Sequence, residues 1–271
     1  YGLNTEEMAA AYASFANDGV YNSPRTYLRV TKTDPNTGVE TTVLSNDGES
    51  HVAMKETTAY FMNKLLKGVV SSGTGTSANF SGMTIAGKTG TTSDNYDRYF
   101  VGYTPYYAAA VWTGYKSNEK VSYSGNPAIT MWKKVMQKIH EDLPNKDFDK
   151  PTGITTVTVC RDSGLLPTEA CSADERGSRL VTVEVASGTA PTERCNLHVI
   201  RDYCTAGQGL ATEFCPESTV VQRAFLNYNR TPYDGISASD DAYLISHLEY
   251  KLETEGCPVH DSLTPPEESE E

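Results

Sequence analysis

The residue types most able to do chemistry in this chain fall in two places. One is Gly87-Lys88-Thr89-Gly90-Thr91-Thr92, a short run that joins an ammonium group to several hydroxyls. It reads as part of a strand over residues 83–92, where side chains alternate, so Lys88 and Gly90 share one face and Thr89 and Thr91 the other. On those six residues alone, an ordinary surface strand with β-favouring threonines is the better explanation of the pattern. The other place is the stretch from residue 160 to residue 257, which holds all six cysteines. Cys160/Cys171 and Cys204/Cys215 are both C-x10-C, and Cys195/His198 and Cys257/His260 are both C-x2-H.

The elements that must position the first run follow from periodicity. A helix is expected from about Thr5 to Asn17, capped by Asn4 or Thr5 with Glu7 closing a capping box, and with Met8, Tyr12 and Phe15 on one side. Tyr27–Thr31 and Val39–Val43 read as a hairpin around the turn-forming Asp34-Pro35-Asn36-Thr37-Gly38. A second helix runs from Lys55 or Glu56 to about Val70, with Met62, Leu65, Leu66 and Val69 as its buried stripe. After the Lys88 strand come two more, Tyr99–Tyr103 and Tyr107–Tyr115. A third helix opens at Asn126-Pro127, with Ile129, Trp132, Val135, Met136 and Ile139 facing inward. This order of antiparallel strands covered by helices is an α+β pattern. His51 and His140 read as surface residues.

Lys-Thr-Gly is the third motif of penicillin-binding proteins and class A β-lactamases, after S-x-x-K and S-x-N. The flanking order strengthens it. Tyr99-Phe100-Val101-Gly102-Tyr103-Thr104-Pro105 and Val111-Trp112-Thr113-Gly114-Tyr115 resemble the strands that follow it in class A (bifunctional) penicillin-binding proteins of the 1A type. Ala11-Tyr12-Ala13-Ser14-Phe15-Ala16-Asn17-Asp18-Gly19 resembles the helix before it. The resemblance covers the chain to about Leu143, and Tyr99 departs from it where the family more often has Trp. It implies a penicillin-binding/β-lactamase-like transpeptidase fold over residues 1–150. It also implies a serine acyl-enzyme mechanism on D-Ala-D-Ala stem peptides, with β-lactam binding and no cofactor. Lys88 would then sit beside the S-x-N serine and assist proton transfer. Thr89, Gly90 and Thr91 would bind the substrate carboxylate and backbone, and the Thr91 N–H would form half of an oxyanion hole.

The nucleophile is not found in these residues. The S-x-x-K match Ser117-Asn118-Glu119-Lys120 lies in a polar loop, and the S-x-N matches at Ser77, Ser93 and Ser124 lie too close to Lys88 or after it. The chain therefore reads as a fragment, with the nucleophile, a membrane anchor and a glycosyltransferase domain expected upstream. The implied location is the extracytoplasmic face of a bacterial membrane, with cell-division or elongation proteins as candidate partners. A serine β-lactamase and a non-catalytic β-lactam sensor or wall scaffold are the alternatives. The net charge of −12 and pI of about 4.9 argue against a nucleic-acid partner.

Composition changes after Lys150-Pro151-Thr152-Gly153, and residues 151–261 read as two related cysteine modules. Leu166-Pro167-Thr168-Glu169-Ala170-Cys171 aligns with Leu210-Ala211-Thr212-Glu213-Phe214-Cys215, and a helix is expected at Asp240–Leu252. Two chemistries fit. Cys160, Cys171, Cys195 and His198, with Cys204, Cys215, Cys257 and His260, could form Cys3His zinc sites. Alternatively a disulfide closes each C-x10-C loop, which a secreted setting favours. Residues 262–271 read as a disordered acidic tail.

Overall fold

The computed structural model describes residues 2–117, 119–227, 251–252 and 255–260. They fall into two compact units, Tyr1–Gly153 and Ile154–Glu271.

The first unit opens with α1 (Thr5–Ala16). The Asn4 side chain accepts from the Glu7 N–H at 2.8 Å, and the Glu7 carboxylate accepts from the Asn4 N–H at 3.0 Å. This reciprocal box satisfies two donors that a helix start otherwise leaves unpaired. Next come β1 (Val20–Asn22), an exposed hairpin of β2 (Arg29–Thr33) and β3 (Glu40–Ser45), and β4 (Ser50–Val52), which returns to pair antiparallel with β1. The chain continues through α2 (Glu56–Ser72) into a meander of β5 (Ala86–Thr91), β6 (Asp97–Tyr103) and β7 (Ala108–Gly114). It then enters α3 (Pro127–Ile139), whose cap Asn126 accepts from the Ala128 N–H.

The three-stranded sheet β5-β6-β7 separates two apolar layers. Phe100 points to one side and packs with Trp132, Met136 and Ile129 of α3 and Val70 of α2. Tyr103, three residues on and so on the other face, packs with Ala86, Leu66 and the Tyr12 and Phe15 rings of α1. Helices thus hold both faces of the strand pair that carries Lys88.

Three expectations need correction. The buried stripe of α2 is Ala59, Asn63, Leu66 and Val70, while Leu65 is 67% exposed. Asn63 goes inside because its Oδ1 accepts from the Tyr103 hydroxyl at 2.7 Å and its Nδ2 donates to the Phe15 carbonyl at 2.9 Å. On α3, Val135 and Ile139 face outward, and Ala128 takes part in the core instead. His140 is buried. Its Nδ1 donates to the Met136 carbonyl at 2.6 Å, and its Nε2 shares a hydrogen bond of 2.8 Å with the Thr104 hydroxyl. It ties the end of α3 to the β6–β7 turn.

The second unit contains β8 (Ile154–Cys160), the single turn α4 (Glu169–Ser172) and β9 (Leu180–Ala186), which pairs with β8. It continues with β10 (His198–Cys204), β11 (Gly209–Leu210) and β12 (Val220–Leu226), in the order β11-β10-β12. The duplication is visible in the backbone. Leu166 bridges in parallel to Arg194, and Leu210 to Gly256. In each copy the following cysteine, Cys195 or Cys257, donates its N–H back to that leucine carbonyl. The acidic tail lies outside the described residues. So does most of the expected Asp240–Leu252 helix, whose residue Lys251 forms a bridge to Leu226. Among the described residues, no helix is long and apolar enough to cross a membrane.

Candidate functional site

Among the described residues β5 pairs with β6 on one side only, in the register Lys88↔Val101, Thr89↔Phe100, Gly90↔Tyr99 and Thr91↔Arg98. Just past the strand, the Thr92 N–H donates to the Asp97 carbonyl. Because bonded and non-bonded pairs alternate in an antiparallel ladder, residues 90 and 88 also turn their backbone groups toward β6. Those of Thr89 and Thr91 turn outward. The outer edge of β5 therefore presents a carbonyl at Thr89 and an N–H at Thr91, together with their side chains.

The side chains fit that arrangement. Lys88 Nζ donates to the outward carbonyl of Thr89 at 2.9 Å and to Thr89 Oγ1 at 3.3 Å, folding over its own strand. Thr89 Oγ1 also shares a hydrogen bond of 2.9 Å with Thr74 Oγ1. Thr74 comes from the glycine-flanked turn after α2 and was not singled out from sequence. Its only signal is the Gly73-Thr74-Gly75 pattern, in which a hydroxyl sits at the stop of a helix. The edge thus carries one ammonium, three hydroxyls from residues 74, 89 and 91, and an outward N–H, a set suited to an anionic, extended chain. Gly90 has a structural reason beside the expected open approach: a Cβ there would stand 3.1 Å from Tyr99 Cβ.

The serine matches elsewhere form no nucleophile site. Ser117 donates its hydroxyl to Glu119, Ser77 lies in a short 3-10 turn, and Asn126 of the third S-x-N match is the α3 cap.

In the second unit the expected disulfides are not formed, and all six cysteines are free. The reason is convergence: Cys160, Cys171, Cys195 and His198 gather around one point, and Cys204, Cys215, Cys257 and His260 around another. Environment separates the thiols. Burial pushes Cys171 up to about 11. At Cys195 burial is outweighed by hydrogen bonds from Ser163, His198 and the backbone, which bring it down to about 6. Cys204, likewise buried, is held at about 6 by the Thr219 hydroxyl and the Gly207 N–H. Sequence reasoning also missed Asp162, Asp174 and Arg176, which stand against His198, and Arg179, which pairs with Asp162; none belongs to a spaced motif. Burial pushes both carboxyls up, but Arg179 and Arg176 at Asp162, and the Arg176 guanidinium and N–H at Asp174, outweigh it and hold them below the usual carboxylate range.

Residues 1–137 match the penicillin binding protein transpeptidase domain, and residues 150–200 match the penicillin-binding protein 1A C-terminal domain. Penicillin-binding protein 1A of Clostridium botulinum (strain Langeland) is 36% identical over 270 residues, 98% of this chain and 31% of that protein. Penicillin-binding protein 1A of Clostridium perfringens is 38% identical over 198 residues, 73% of this chain and 23% of that protein. The chain thus spans less than a third of the length of these relatives. The crystal structure of penicillin-binding protein 1A from Haemophilus influenzae superposes with a TM-score of 0.55. It does so at 18% identity, covering 71% of this chain and 33% of that one, a likeness of fold. With the α+β meander, the Lys-Thr-Gly edge strand and these matches in place, the chain belongs to the penicillin-binding protein transpeptidase family, of the 1A type.

Proposed function

We propose that residues 1–150 supply the Lys-Thr-Gly strand of a peptidoglycan D,D-transpeptidase. Its serine nucleophile lies in a part of the protein beyond this chain. The observation that carries the reading is the outer edge of β5, where the Thr91 N–H and the Lys88, Thr89 and Thr74 side chains line one strand edge. An extended peptide ending in D-Ala-D-Ala lies along that edge as an added strand, its terminal carboxylate against the Thr89 and Thr91 hydroxyls. The serine oxygen attacks the carbonyl between the two D-alanines. An ester forms, the C–N bond breaks, and the terminal D-Ala leaves carrying the added proton. The Thr91 N–H and the nucleophile's own N–H hold the oxyanion, and Lys88 keeps the potential positive where negative charge develops. An amine of a neighbouring stem peptide then takes the acyl group from the ester, with no cofactor involved. A β-lactam follows the same first step and stays attached. The whole protein acts at the outer face of the bacterial membrane and also polymerises glycan strands.

Intact-mass acylation of the full-length protein by penicillin, beside its Lys88→Ala variant, tests this. The expected result is a stable adduct on the wild type and acylation slower by about 10²- to 10⁴-fold on the variant. Equal rates remove Lys88 from the site. Rapid hydrolytic loss of the adduct selects the β-lactamase reading, and no adduct on the wild type selects the sensor or scaffold.

A further inference from the structure

Both cysteine clusters have the dimensions of a mononuclear tetrahedral site. A zinc ion bound at about 2.3 Å by sulfur and about 2.0–2.1 Å by nitrogen places sulfur and nitrogen about 3.6 Å apart across a tetrahedral angle. In the first cluster His198 Nδ1 stands 3.4, 3.6 and 3.3 Å from the sulfurs of Cys160, Cys171 and Cys195. In the second, His260 Nδ1 stands 3.4 Å from Cys204 and 3.4 Å from Cys257. Within each set the four ligand atoms all lie within 4.8 Å of one another. A disulfide would join two of three thiols in each module, leaving an odd sulfur and a histidine nitrogen aimed at nothing.

The surroundings are arranged for sulfur that carries charge. The Thr168 N–H donates to Cys171 Sγ at 3.4 Å, and the Thr212 N–H donates to Cys215 Sγ at 3.3 Å, the same bond in the two copies. Around His198 the far side of the ring is built as well. Its Nε2 stands 3.0 Å from Asp174 Oδ2 and 3.3 Å from Asp162 Oδ2. A carboxylate can only accept there, so Nε2 donates to the two carboxylates, and Nδ1, the nitrogen that faces the three sulfurs, is the one left to take a metal. Arg176 and Arg179 neutralise the two carboxylates. In the second copy Gly207 passes so close to Cys257 that a Cβ there would overlap its Sγ.

We propose that each module binds one zinc ion, through Cys160, Cys171, Cys195 and His198 Nδ1 in the first and Cys204, Cys215, Cys257 and His260 Nδ1 in the second. Three thiolates and an imidazole in tetrahedral array select zinc over hard cations, which prefer oxygen ligands. Four protein ligands close the shell, so the sites are structural. β10 carries His198 at one end and Cys204 at the other, so one strand of about 20 Å spans the two ions.

The test is metal content of the 271-residue chain purified without oxygen and with zinc present. Elemental analysis is expected to find two zinc ions per chain, one per cluster. His198→Ala loses one of them, and His198→Cys, which makes a four-sulfur shell, restores it. Replacement by cobalt gives the visible bands of tetrahedral cobalt-thiolate coordination. Asp162→Asn with Asp174→Asn weakens the first site by about 10- to 100-fold in chelator competition and leaves the second unchanged. Zinc-free chain with its cysteines joined in disulfides overturns the proposal. So do bound iron with inorganic sulfide and an octahedral cobalt spectrum. One zinc per chain, lost in His198→Ala, overturns it for the second module.

Discussion

The largest fully buried side chains of the first unit are Trp132, Tyr103, Phe100, Met136 and Thr104, and those of the second are Leu226 with Cys160, Cys171 and Cys204. The first unit is a carbon core wrapped around a sheet. In the second, the cluster of Cys160, Cys171 and Cys195 takes the central place that an apolar core would hold, with Leu197 against it. Strands β8 and β9 are half-buried or exposed along most of their length. Small modules bury too little apolar surface to offset the entropy of ordering their chains, and cross-links or metals make up the difference. The contrast shows two ways to stabilise β-structure within one chain. Each can be broken separately.

The largest effect follows from removing the metal. Structural zinc in small modules contributes about 10–16 kcal/mol of binding free energy per site, comparable with the whole stability of an ordinary domain. A strong chelator is therefore expected to abolish amide-exchange protection through β8–β12. Both tryptophans of the chain, Trp112 and Trp132, lie in the first unit, so their emission reports on it alone and is expected to hold steady. Protection in β8–β12 that survives chelation would show that Leu226, Phe225 and their neighbours suffice as a core.

The converse experiment empties the carbon core. Trp132 packs edge-on to Phe100 with ring centroids 5.1 Å apart, and its Nε1 donates to the carbonyls of Gly102 and Ala109. Trp132→Ala leaves a cavity against the sheet and is expected to cost about 3–5 kcal/mol in denaturant unfolding of the first unit. Zinc content is expected to stay the same. A loss below about 1 kcal/mol would mean that α3 shifts to fill the space.

The same contrast explains what could be read from the sequence. The capping box at Asn4 and Glu7 and the Asn126-Pro127 start of α3 are local, so residue type and spacing determine them. The Lys-Thr-Gly strand is legible because alternation and a tight turn lie within a few residues. The α2 stripe was misplaced because Asn63 is buried by hydrogen bonds to Tyr103 and Phe15, far away in the chain. β1 and β4 are three residues each, and pairing across the intervening hairpin defines them. In the cysteine region the ligand spacing was visible, but two chemistries share it. Convergence of the sulfurs on His198, and the carboxylates behind its ring, support the zinc proposal, and both are properties of the folded chain.

The smallest effect concerns a carboxylate that resembles Asp162 in partner but not in setting. Asp147 accepts from Lys67 Nζ at 2.7 Å, with side chains 60% and 37% exposed, whereas the Asp162 side chain is 5% exposed between Arg176 and Arg179. Partial burial pushes the Asp147 carboxyl up, but Lys67 and the Phe148 N–H outweigh it and hold it below the usual range. A carboxyl whose folded value is depressed stabilises the fold above its unfolded value of about 3.9, and that contribution disappears as pH falls through the folded value. Water screens this pair, so its size is about 0.2–1 kcal/mol. Asp147→Asn is expected to lower the stability of the first unit by that amount at about pH 7 and by nothing at about pH 2. Urea unfolding at the two pH values, followed by tryptophan emission, measures the difference. A loss that persists in acid would mean that Asp147 acts by shape, through its bond to the Phe148 N–H, and not by charge.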